Sequence, residues 1–203
     1  MGLIGKYFGI VGIVVVVLIV AIVKGLSGDK MKQVFAALRT SGVDAARAEV
    51  DKIFTPTRNP PLAARFAALA LIGDRSTLAR EVGAASGKLR NIAYQKAWGL
   101  LGLVLLDDPS ARAALAEHVA LCDRELPMMM GKIKQAIRGI GTIGAGDVDA
   151  IAKLTPGLFP FHTEWTRALT WECVARAFDR GGKPELANNA RQRLAELERA
   201  KAA

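Results

Sequence analysis

The chain has 203 residues, 51% of them hydrophobic and 23% charged, and a formal net charge of +9. That balance excludes a disordered or fibrous chain and leaves enough length for one domain with a real core. The positive charges are spread without a Lys/Arg block, so solubility and attraction to anionic surfaces are expected ahead of nucleic-acid binding. The two cysteines, Cys122 and Cys173, form no CxxC motif and sit in apolar helical patterns, which suits buried small hydrophobes in a reducing compartment.

Tyr7 to Val23 carries no charge and is bracketed by Lys6 and Lys24. As a helix it would reach roughly 25 Å, or roughly 31 Å if it starts at Leu3, enough to cross a bilayer core. Residues 1–26 are therefore expected to form a single-pass transmembrane anchor. The apolar run is longer than a signal peptide requires, which favours an uncleaved helix. Lys24, Lys30, Lys32 and Arg39 outnumber Lys6 and the α-amine, placing the remainder in the cytoplasm. Gly2, Gly5, Gly9 and Gly12 would share one face of this helix, the small-residue spacing that allows contact with a second membrane helix in an oligomer or complex.

From residue 27 to residue 203 the apolar residues recur with helical period and nothing alternates like a strand. Gly and Pro punctuate the pattern. Helices are expected at Lys30 to Ser41, Asp44 to Phe54 and Leu62 to Ile72. Ser76 can cap the next, which stops at Gly87, and Leu89 to Leu106 is long and very apolar. Ser110 to Asp123 follows the Asp107-Asp108-Pro109 turn. Met128 to Arg138 leads into a glycine-rich stretch, Gly139 to Gly146. A short helix, Asp147 to Leu154, precedes Phe161 to Arg180, and Pro184 opens the last helix, to about Arg199. Turn centres near 42, 73, 108, 144 and 182 recur every 31 to 38 residues, the mark of stacked helical hairpins. The fold expected is all-α, an N-terminal transmembrane helix followed by an α-solenoid of about five hairpins.

Two units resemble the tetratricopeptide repeat. Trp98-x2-Leu101-Gly102-x2-Leu105 is followed by Ala114 and Leu121. Trp171-x2-Val174-Ala175-x2-Phe178 is followed by Ala187 and Leu194. A weaker unit begins at Ala63, and His118 and Arg191 stand where that family usually has bulky apolar residues. Arg65 to Leu78 also resembles a HEAT-type repeat, so both solenoid families stay open. The tetratricopeptide resemblance implies a concave groove for a peptide, formed by Lys96, Gly99 and Leu103 from one unit and Glu172, Arg176 and Asp179 from another. Lys96 and Arg176 would there meet an acidic side chain or a C-terminal carboxylate.

No other motif outweighs its plain structural reading. Gly139 to Gly144 spells GxGxxG, but no strand precedes it, so a flexible turn is expected and not a dinucleotide site. His118 and Cys122 share a helix face without further metal ligands. His162-Thr163-Glu164 is the remaining cluster that could hold an acid–base pair. Met128 to Arg138 reads as core packing with a basic outer face ahead of a helix lying on a membrane surface, and Leu158 to Phe161 with Trp165 reads as core ahead of an exposed anchor for a partner. With no catalytic, cofactor or metal constellation, the expected function is a membrane-anchored helical-repeat adaptor that binds a protein partner. The alternative is an accessory subunit of a larger membrane complex.

Overall fold

A computed structural model describes residues 30–54, 62–154 and 163–199. Those residues are helix and turn, with no strand among them. The helices are α1 (30–53), α2 (Leu62–Leu71), α3 (Arg75–Ala84), α4 (Leu89–Leu105) and α5 (Ala111–Glu125). A 3-10 turn at Met128–Met130 leads into α6 (Gly131–Ala145), followed by α7 (Val148–Ala152), α8 (Glu164–Arg180) and α9 (Pro184–Arg199).

The expected turn centres are where the backbone reverses. Gly42, Gly73, Asp107, Gly146 and Gly182 each hold a positive φ. At Gly42 the consequence is large. Phe35 and Phe54 both lie against Trp165, at ring-centroid distances of 6.3 and 6.0 Å. Nineteen residues of straight helix would separate them by ~28 Å. The chain from 30 to 53 therefore folds back at Gly42, where φ is +84° and no Cβ resists it.

Helices α2 and α4 each carry a long unbroken apolar stretch, the pattern of a segment buried on every side. Residues 66–70 of α2 and 97–105 of α4 are buried without interruption. Helix α2 packs on α4, α4 on α6, α6 on α8, and α8 returns to α2. These four form a closed inner ring. Helices α3, α5, α7 and α9 lie outside it, each against one or two ring members. Small residues permit the closeness: a Cβ on Gly102 would stand 2.8 Å from Ala70 Cβ and 3.0 Å from Leu78 Cδ2.

Two expectations about architecture need correction. In an open solenoid each hairpin touches only its neighbours, whereas here α2 and α4 both touch α8. The hairpins therefore close into a bundle. The single-pass membrane anchor, with the membrane localisation built on it, is withdrawn. Among the described residues no helix is long and apolar enough to cross a membrane. Apolar α4 has only 17 residues, and the equally long α8 carries six charged side chains. The span expected at Tyr7 to Val23, with Gly2, Gly5, Gly9 and Gly12, lies outside the described residues.

The glycine-rich stretch is also not a flexible turn. Gly139, Gly141 and Gly144 lie within α6, and only Gly146 leaves it. A Cβ on Gly141 would stand 2.8 Å from Val119 Cγ2, and one on Gly144 would collide with Leu115 Cδ2. These glycines bring α6 against α5. The cap of α3 is Asp74, not Ser76. Its buried carboxylate accepts from the Thr77 N–H and the Ser76 hydroxyl, both at 3.1 Å, and pairs with Arg47 from α1. Burial alone would raise the Asp74 carboxyl; the Thr77, Arg47 and Ser76 donors outweigh it and hold the group below its ordinary value.

Two outcomes follow for stability. Asp74→Ala should cost about 0.5–2 kcal/mol in urea unfolding, the range for a lost N-cap. Because the folded-state value is lowered, the contribution is present above about pH 4 and lost as pH falls through that lowered value. Urea midpoints for wild type and Asp74→Asn should therefore converge in acid. Asp107 is the only described non-glycine residue with positive φ, at 53°. Asp107→Gly should be more stable than Asp107→Ala by about 1 kcal/mol, because only glycine takes this backbone without a Cβ penalty.

Candidate functional site

Two recesses are the places to look for function. The larger is a groove of about 550 Å³ between α4 and α5, lined by Lys96, Leu100, Ala114, Glu117, His118, Ala120, Leu121 and Arg124. Helical spacing explains the set. Lys96 and Leu100 are one turn apart on α4, while 114, 117, 118, 121 and 124 follow the i, i+3, i+4 stripe of α5. The floor is apolar, from Leu100, Ala114 and Leu121. Lys96 forms no ion pair with a described residue, and exposed Arg124 pairs only with its neighbour Glu125, at 3.3 Å. Such an exposed pair contributes little and leaves the guanidinium available.

His118 is buried beneath the groove. Its Nε2 lies 2.8 Å from the Ala93 carbonyl, so Nε2 carries the proton and donates it. Cys122 Sγ lies 3.6 Å from the same nitrogen. Burial first, and the nearby Lys96 charge second, hold the imidazole below its ordinary value against the opposing carbonyl bond. Burial also raises the Cys122 thiol, to about 11, so no thiolate stands beside a base at neutral pH. Among the described residues no group of three or more His, Cys, Asp or Glu side chains converges on a point that could hold a metal.

The second recess, of about 200 Å³, lies at the C-terminal ends of α4, α6 and α8. Arg112, Arg176 and Arg180 line it over Val104, Leu105, Ile143, Cys173 and Ala177. Three arginines suggest an anion site, but the helix ends say otherwise. Each C-terminus presents carbonyls carrying about half a negative charge. Arg176 donates from Nη1 to the Leu105 carbonyl at 2.9 Å and from Nε to Glu172 at 3.0 Å. Arg180 pairs with Asp107 at 2.7 Å. Arg176 and Arg180 are thus occupied in closing helix ends and turns, which leaves Arg112 alone of the three facing the recess.

The six residues expected to share one groove are divided. Lys96 lines the α4–α5 groove and Arg176 the helix-end recess. Glu172 is Arg176's partner, and Asp179 pairs with Arg191 of α9. Gly99 is buried against Phe66 and Val82, and Leu103 is buried in the core. Thr163 and Thr166 form a capping box at the start of α8, so Glu164 opens a helix there; His162 lies outside the described residues. Trp165 is core, while the Leu158 to Phe161 stretch is outside the described residues.

The sequence reading missed Leu100, Glu117, Arg124 and the role of Leu121. The apolar stripe of α5 was legible, but which face α6 would cover was not. It also missed Met128 and Met129, which are 94% and 93% exposed on the turn after α5. Comparison with protein families, curated proteins and solved structures finds no match to this chain.

The His118 environment has a measurable consequence. Its folded-state value is lowered, so the stability it supports is intact above about pH 6.5 and declines as pH falls from there through the lowered value. His118→Gln keeps an N–H donor and loses the titration. Its stability profile from chemical unfolding should be flatter than that of wild type across this window.

Proposed function

We propose that this protein is a helical scaffold that binds a segment of a partner protein along the α4–α5 groove. The observation that carries the reading is the groove itself: an apolar floor at Leu100, Ala114 and Leu121 with cations at Lys96 and Arg124. A partner segment with apolar residues on one side and acidic residues beside them would cover the floor and meet both cations. The side-by-side stacking of α4 and α5, which forms the groove, supports a binding role. So does the chemistry around the groove, where the nearest nucleophile is a protonated thiol and the nearest base donates to a backbone carbonyl.

The test is site-specific photocrosslinking of the full chain in its own cells. A photoreactive residue at Leu121 should capture one protein reproducibly, and the same residue at exposed Arg193 on α9 should not. Adding Lys96→Glu with Arg124→Glu should reduce the capture by at least ~10-fold, the effect expected from two reversed charges at an interface. Equal capture from both sites, or capture indifferent to charge reversal, would remove this groove as the binding surface.

A further inference from the structure

The distribution of sulfur in the molecule points to a chemistry outside the groove. Among the described residues the sulfur side chains are Met31, Met128, Met129, Met130, Cys122 and Cys173. In most proteins a thiolate is the first sulfur to meet an oxidant. Here both thiols are buried, Cys122 fully and Cys173 to within 7%. Burial raises both, with the carboxylates of Asp123 and Glu172 adding to the effect. Met31 is 4% exposed, inside the hydrophobic core.

Met128 and Met129 are the opposite case. The turn that carries them is held by its backbone: the Met130 N–H donates to the Pro127 carbonyl at 3.0 Å, and the Gly131 N–H to the Met128 carbonyl. Met130 turns inward and packs against the core, anchoring the turn. Met128 and Met129 project outward, nearly wholly in solvent. The fold thus protects four of its six described sulfurs wholly or in part and presents two adjacent thioethers on a fixed turn.

We propose that, among the described residues, Met128 and Met129 are the peroxide-reactive site of this protein, oxidised to sulfoxides while the fold is retained. Each thioether sulfur gives an electron pair to one oxygen of a hydroperoxide. The S–O bond forms as the O–O bond breaks. Sulfur is oxidised by two electrons, and the departing oxygen takes the proton and leaves as water or an alcohol. The product replaces two apolar surface groups with two polar, chiral ones. Neither side chain is part of the core, so the packing that holds the bundle is untouched. A methionine sulfoxide reductase with a thiol reductant would return both sulfurs to thioethers, so the change is reversible by a known class of enzyme.

The experiment is a time course of the full chain in dilute hydrogen peroxide, mapped by peptide mass and fragment sequencing, with thiols counted after unfolding. Two oxygens should appear first on Met128 and Met129. Met31 should react at least ~10-fold more slowly, and both thiols should survive that phase, since accessibility governs these rates. Helical signal and thermal midpoint should stay at their starting values while the two sulfoxides form. Met128→Leu with Met129→Leu, a surface change that should leave folding intact, should abolish the fast phase. Loss of thiols before the methionines react would overturn the proposal. So would oxidation of Met31 at the same rate, or unfolding in step with sulfoxide formation. The assay requires no partner, so it stands or falls independently of the groove.

Discussion

The close approach of α4 to α2 and α3 is the constraint on which the rest of the molecule depends. A Cβ on Gly99 would collide with Val82 Cγ2 and sit 2.9 Å from the Phe66 ring. One turn on, Gly102 faces Ala70 and Leu78 with the same lack of room. Two glycines on one helix face let the axes come together, and interaxial distance follows the side chains at the contact. With α4 seated this deeply, Trp98 and Leu101 are wholly buried and the first two hairpins share one core. The same device recurs where Gly141 and Gly144 of α6 meet Val119 and Leu115 of α5.

Tight packing at successive contacts has a global result. By the fourth inner helix the array has come back to the first. Helix α8 then packs on α2, and Trp165 reaches Phe35 of the folded-back α1 and Phe54 just after it. The interior that an open superhelix would leave as a concave groove is filled by side chains. Any binding surface is therefore displaced to the outside, and the α4–α5 groove, lined by Lys96 and Arg124, is such a surface.

The basic composition is spent partly inside the molecule. Arg47 ties α1 to the α2–α3 turn at Asp74, Arg75 reaches Asp108, and Arg180 reaches Asp107. Arg65 joins Asp51 and Glu81, linking α1, α2 and α3. Most of these pairs are partly exposed and individually weak. Their common feature is placement: several fasten a turn of one hairpin to a helix of another. Charges that read as a surface field along the chain are in many cases local ties. Lys96 and Arg124 differ in being left beside an apolar floor.

By itself the sequence determined the all-helical character of the described residues and most of their reversals. Apolar period marks a helix in any context, and Gly42, Gly73, Gly146 and Gly182 mark turns because a positive φ suits glycine whatever surrounds it. The buried character of α4 was legible too, since residues 97–105 hold no polar side chain apart from the Trp98 indole. Only the tertiary structure decided how the hairpins close. Periodicity names the face that packs but not the partner it packs against or the distance between them. Gly99 read as a groove residue until Phe66 and Val82 were found over it, and Gly139 to Gly144 read as a turn until α5 was found against it. The site depended most on this, because Lys96 and Arg176 belong to one surface only if the array stays open. Closure of α8 onto α2 sends them to different recesses.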